Sequence, residues 1–128
     1  MAHQAVKVLE FEERVRLDPR PLEALSADMG PAAAEAVLRR AMRELALRLA
    51  RIEMREGIET MADLAGAARG IVGIASEIGM SSLAAVASDV AAAAGRCDVP
   101  AAAATAARLA RIGDHSLMAA WERAEGAI

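Results

Sequence analysis

Between Pro31 and Gly57, the residues Leu38, Ala41, Met42, Leu45, Leu49 and Ile52 recur at steps of three and four. That spacing gathers them on one side of a helix. In a strand the same residues would be thrown to both faces. Arg39, Arg40, Arg43, Arg51 and Arg55 fall largely outside the stripe, as the solvated face of an amphipathic helix requires. Composition extends the constraint to the whole chain. Of 128 residues, 34 are alanine; Phe11 and Trp121 are the two aromatic residues, and there is no tyrosine. Alanine, leucine, arginine and glutamate favour helix, whereas sheets draw on aromatic and β-branched residues. The expected class is all-α. A chain of this length makes one ordinary domain and hides roughly two-thirds of its unfolded surface, so it needs no staples.

Punctuation divides the chain into helices. Val8, Phe11 and Val15 sit at helical spacing and predict a short helix within residues 1–17. Asp18-Pro19-Arg20-Pro21 breaks it, and a second short helix over about 20–28 carries Leu22 and Leu25. Gly30-Pro31 opens the long helix, with Gly57 as its stop. The next helix is expected from Ile58 to Gly79, and a further one, capped by Ser81 or Ser82, runs to Gly95. Asp98 and Pro100 start the last, with a kink at Gly113 and Leu117, Met118 and Trp121 closing the end of the bundle. Short loops join these helices, which implies antiparallel neighbours in a bundle.

Several function classes drop out at this level. One cysteine, Cys97, allows neither an internal disulfide nor a cysteine-rich zinc site. Fifteen basic against eighteen acidic residues give a net charge of −3, without the footprint of a nucleic-acid binder. No apolar run reaches the length of a membrane span, and no basic start followed by an apolar stretch marks a signal peptide. A cytoplasmic protein is the expectation. No cofactor or metal is expected, since neither His3 nor His115 has a partner at ligand spacing.

The segment 58–79 is the most informative. On a helical wheel Met61, Leu64, Ala65, Ala68, Ile71, Ala75 and Ile78 share one arc, and Gly66, Gly70 and Gly73 form a strip nearly opposite. Each interior glycine costs about 1 kcal/mol relative to alanine. In a chain with alanine to spare, the strip has a reason. It either lets another helix of the same protein approach or offers bare backbone to a partner. Arg69 flanks it, Val72 leans toward the core, and Ser76 lies two turns beyond Arg69.

Residues 60–84 resemble the central segment of histidine-containing phosphotransfer (Hpt) domains. That segment reads approximately leucine–x–x–alanine–histidine–x–leucine–lysine–glycine–serine, then a glycine five residues on and a leucine four further. Gly73, Gly79 and Leu83 keep the spacing, and Leu64, Ala68 and Ile71 match apolar positions. The resemblance covers about residues 20–125. It implies an antiparallel four-helix bundle over 20–128, with 1–19 as an N-terminal extension carrying short helical additions. Where the family carries the phosphorylated histidine, this chain has Arg69, and where it carries a lysine three residues later, Val72. Phosphotransfer needs an imidazole nitrogen as nucleophile, a role a guanidinium does not fill. The glycine that lets a receiver domain approach is retained as Gly73.

The resemblance therefore implies a docking surface without the chemistry. The expectation is a non-enzymatic, degenerate Hpt module of two-component phosphorelay signalling. It would bind a response-regulator receiver domain or a histidine kinase through Arg69, Gly66, Gly70, Val72, Gly73 and Ser76. Arg69 would reach toward the receiver's aspartate cluster. Two alternatives stand beside it. One is an active carrier using a displaced histidine, His115 next to Asp114 or, less readily, His3. The other is a structural or dimerising bundle in which the glycine strip is an internal contact. Cys97, beside Arg96, reads as a loop residue. Arg39, Arg40, Arg43, Arg48, Arg51 and Arg55, interleaved with Glu35, Glu44, Glu53 and Glu56, read as a salt-bridged solvated face or a cationic rim for an acidic partner.

Overall fold

A computed structural model describes residues 14–126 of the chain, and the side chains of residues 14–124. It is all-helical, with α1 Arg20–Met29, α2 Pro31–Glu53, α3 Met61–Glu77, α4 Ser81–Gly95 and α5 Val99–Gly126. No described residue is in a strand, and none of these helices is long and apolar enough to cross a membrane. α2 packs on α3, α3 on α4, α4 on α5 and α5 back on α2, while α1 lies against α2. The α3–α4 pair has the most extensive contact. Alanine makes that possible: Ala68, Ala75 and Ala87 are fully buried, and methyl-sized side chains let two helices close together. Leu45, Ile71, Leu83, Leu109 and Ile112 fill the middle of the core.

Met42, Leu45, Leu49 and Ile52 are buried, with Leu38 and Ala41 half-buried beside them, as the stripe on α2 requires. The arc on α3 also faces inward, with Met61 half-buried at its start. Thr60 caps α3. Its hydroxyl accepts from Asp63 N at 3.0 Å, while Asp63 Oδ2 accepts from Thr60 N at 3.1 Å. This reciprocal capping box starts the helix at Met61 rather than at Ile58.

Three helix ends share one device, and it revises the expected stop of α2 while α4 ends at Gly95 as expected. After α2, Arg55 N donates to Ile52 O and Glu56 N to Arg51 O, with Arg55 at φ 56°. After α3, Gly79 N donates to Ser76 O and Met80 N to Ala75 O, with Gly79 at φ 82°. After α4, Cys97 N donates to Ala94 O and Asp98 N to Ala93 O, with Cys97 at φ 55°. Each is a Schellman motif with its left-handed residue just past the helix. α2 therefore stops at Glu53, ahead of Gly57, and two of the three left-handed positions are held by side chains that pay strain there.

Other expectations change as well. Residues 14–18 are not helical, and the rest of the helix expected within 1–17, with Val8, Phe11 and His3, lies outside the described residues. Arg16 N donates to Ser82 Oγ at 2.6 Å, and Asp18 N donates to Gly79 O at 2.7 Å. The Ser82 hydroxyl thus serves the incoming N-terminal segment, and neither serine caps α4. Asp98 does cap α5, accepting from Ala101 N at 3.1 Å. α5 runs unbroken through Gly113, which is buried because Leu49 occupies the space a side chain would need. Trp121 and Met118 do not close the bundle: they are 54% and 62% exposed.

Candidate functional site

The site is the outward face of α3. Its buried arc is fixed by Leu64, Ala68, Ile71 and Ala75, so the residues half a turn away must look out. Gly66 and Gly73 are exposed, and a Cβ built on either meets nothing within 4 Å. Gly70 differs. It is half-buried, and a Cβ there would sit 2.5 Å from Arg48 Nη1 of α2. The Arg48 guanidinium is held in place by Glu44 one turn earlier, Nε to Oε1 at 3.0 Å. The glycine strip is therefore open at both ends and crossed in the middle by one cation.

Arg69 is exposed on the α4 side of this strip, and Ser76 is exposed two turns further on. Val72 is half-buried and packs against the core, so it supports the face more than it presents itself. Arg69, Gly66, Gly73 and Ser76 thus share a solvated surface, with Gly70 beneath Arg48. The pattern of charges had placed Arg48 in a general solvated face. Its position over Gly70 follows from its flank of α2, next to Ala41, together with a glutamate four residues earlier. Of the other arginines on α2, Arg39 pairs with Glu35 at 2.7 Å.

His115 is exposed on α5, and its imidazole has no hydrogen-bond partner among the described residues. Asp114 does not orient it. Consecutive helical residues diverge by about 100°, and Asp114 instead lines a groove between α2 and α5. Cys97 is exposed in the α4–α5 turn, where its left-handed backbone ends α4. Among the described residues, no three of His, Cys, Asp and Glu gather as a metal site would require.

Two carboxylates near the site have lowered pKa values, and both serve structure. Asp18 is held at about 2, first by the Arg20 guanidinium hydrogen bonds and then by the Arg20 backbone N–H. Asp63 is lowered by the backbone N–H groups of Glu59 and Thr60, which its carboxylate accepts. Comparison of the chain with family models, with curated proteins and with solved structures finds no match.

Proposed function

We propose that this protein is an Hpt-like docking module of two-component signalling that binds a receiver domain without carrying phosphate. In this reading α2 to α5 form an antiparallel four-helix bundle. The cyclic contact order of those helices and their short connections support it. One observation carries the proposal: an open stretch of helix backbone at Gly66 and Gly73, with Arg69 exposed beside it. Three glycines in one 17-residue helix are costly. Two of them are not relieved by any internal neighbour, so the cost is explained by a partner that rests on main chain.

Chemistry separates docking from transfer. A guanidinium is a fork of donors and not a phosphoryl acceptor, so Arg69 suits a carboxylate or phosphoaspartate on the opposing surface. Arg48, over Gly70, adds a second cation to the same face. Two cations beside bare backbone fit an acidic partner and would raise association rate and salt dependence. A receiver partner belongs to the cytoplasm, and the module with it.

The test is binding of the full chain to receiver domains of the same organism, with and without phosphorylation of the receiver. Gly73→Glu should abolish capture, and Arg69→Ala and Arg69→Glu should weaken it progressively. Absence of binding to any receiver in either state, or equal binding by all three variants, overturns the reading. An acid-labile phosphoryl label that disappears in His115→Ala would replace docking with a carrier function.

A further inference from the structure

α2 and α5 carry matching stripes. Arg39, Met42, Arg43 and Ala46 stand at i, i+3, i+4 and i+7 on α2, and Asp114, Leu117, Met118 and Trp121 repeat the same steps on α5. Side by side, the two stripes line an open groove of about 720 Å³. Its floor is apolar, and its largest side chains, Met118 and Trp121, stand more than half in water. Further along the same seam, Ala103, Ala106, Ala107 and Ala110 of α5 face Leu49 and Ile52. Methyl groups are too short to fill the space between the helices there, and a second opening of about 360 Å³ results. Both openings lie along this one seam, and exposed apolar surface of this kind marks an interaction site.

Charge indicates the occupant. The α2 edge of the groove carries Arg43 beside Arg39, which is paired with Glu35 of its own helix, and the α5 edge carries Asp114. Neither Arg43 nor Asp114 has an ion-pair partner among the described residues. A uniformly acidic or uniformly basic partner would meet repulsion at one edge. A fitting partner offers an apolar ridge with a cation on one side and an anion on the other, and this chain's own α2–α5 face has that composition.

We infer that a second copy of this chain docks on the α2–α5 seam to form a two-fold dimer. A two-fold axis running along the groove lays α2 of each copy over α5 of the other, as an isologous interface demands. Arg43 of each copy then faces Asp114 of the other, and the Met118 and Trp121 side chains leave water together. The dimer leaves the α3 face open, because the edge of α2 that carries Arg48 turns toward α3 while Arg39 and Arg43 turn toward α5. Two receiver-binding faces would thus be carried per dimer, although the dimer does not depend on receiver binding.

Sedimentation equilibrium of the full chain, from about 1 μM to about 1 mM, reads the association directly. A reversible dimer is expected, accompanied by a shift of the single tryptophan's emission to shorter wavelength. Met118→Glu and Trp121→Ser should each weaken dimerisation at least about tenfold while helical circular dichroism is retained. Arg43→Asp and Asp114→Arg should each weaken it, and the double exchange should restore it. A monomer at every concentration overturns the proposal, as does a dimer indifferent to Met118→Glu and Trp121→Ser. Failure of the double exchange to restore association overturns the two-fold geometry. A monomer whose emission is already short-wavelength, and moves to longer wavelength on deletion of residues 1–13, assigns the groove to the chain's own N-terminus instead.

Discussion

Replacing Gly66 and Gly73 by alanine should make the protein more stable and a poorer binder. Both lie inside α3 at ordinary helical backbone angles, and neither would bring its new methyl within 4 Å of another group. Nothing opposes the intrinsic gain of alanine over glycine, which is about 0.5–1 kcal/mol per site. The two positions are two turns apart, roughly 10 Å at 1.5 Å per residue, so their effects should add to about 1.5 kcal/mol. At this chain length that is worth roughly 5–8 °C in Tm. Gly70→Ala provides an internal contrast: its methyl would press on Arg48 Nη1, so part of the gain goes into moving the guanidinium. Urea titrations of the three single variants and the Gly66→Ala/Gly73→Ala double variant measure the stability effect. Receiver titrations on the same samples measure the second effect, and Gly73→Ala should bind at least about tenfold more weakly, the cost of forcing one extra methyl into a close contact. If Gly66→Ala and Gly73→Ala bring no stability, the open-face geometry is wrong. If they stabilise and binding is unchanged, the face is open but is not where a receiver rests.

Gly79→Ala should be among the most damaging single changes. Gly79 has φ 82°, and a methyl there collides with the Asp18 carbonyl, so about 3 kcal/mol should be lost in urea denaturation. Gly57→Ala, at φ 73° but in open space, should cost only about 1 kcal/mol; equal losses would refute the role given to Asp18. Ser116→Ala should raise stability by about 1 kcal/mol, because the Ser116 hydroxyl is fully buried with no hydrogen-bond partner; a loss would show that the hydroxyl is in fact bonded. Acid should unfold the protein in part through Asp18, whose carboxyl falls from 3.8 to about 2 on folding. A depressed pKa contributes stability above 3.8 that is lost as pH falls toward about 2, so Asp18→Asn should flatten that part of a stability-versus-pH curve. Asp63, lowered by the Glu59 and Thr60 N–H groups, works in the same direction, and Asp63→Asn should act likewise.

Much of the candidate site could be read from α3 alone. Its wheel separates Leu64, Ala68, Ile71 and Ala75 from Gly66, Arg69 and Gly73 without reference to any other helix, and burial follows that division. Gly70 shows where this reading stops. Its angle on the wheel resembles that of its neighbours, yet Arg48 covers it, and only the packing of α2 beside α3 brings the two together. Trp121 is the opposite case. A large apolar residue near the chain end was expected to be buried, but it lines an open groove between α2 and α5 and stands half in water.

By itself the sequence determined the helical class, the position of each long helix and the side that each turns inward, because periodicity and propensity act between residues one turn apart. It did not determine the stop of α2 at Glu53, or the left-handed backbone at Arg55 and Cys97, which is held there by side chains that do not favour it. Nor did it determine the use of the Ser82 hydroxyl by Arg16, the cover of Arg48 over Gly70, the approach of Leu49 to Gly113, or the open seam between α2 and α5. Those features depend on which helices become neighbours and how closely they approach. That distance is set jointly by side chains far apart in the chain, and no local pattern encodes it.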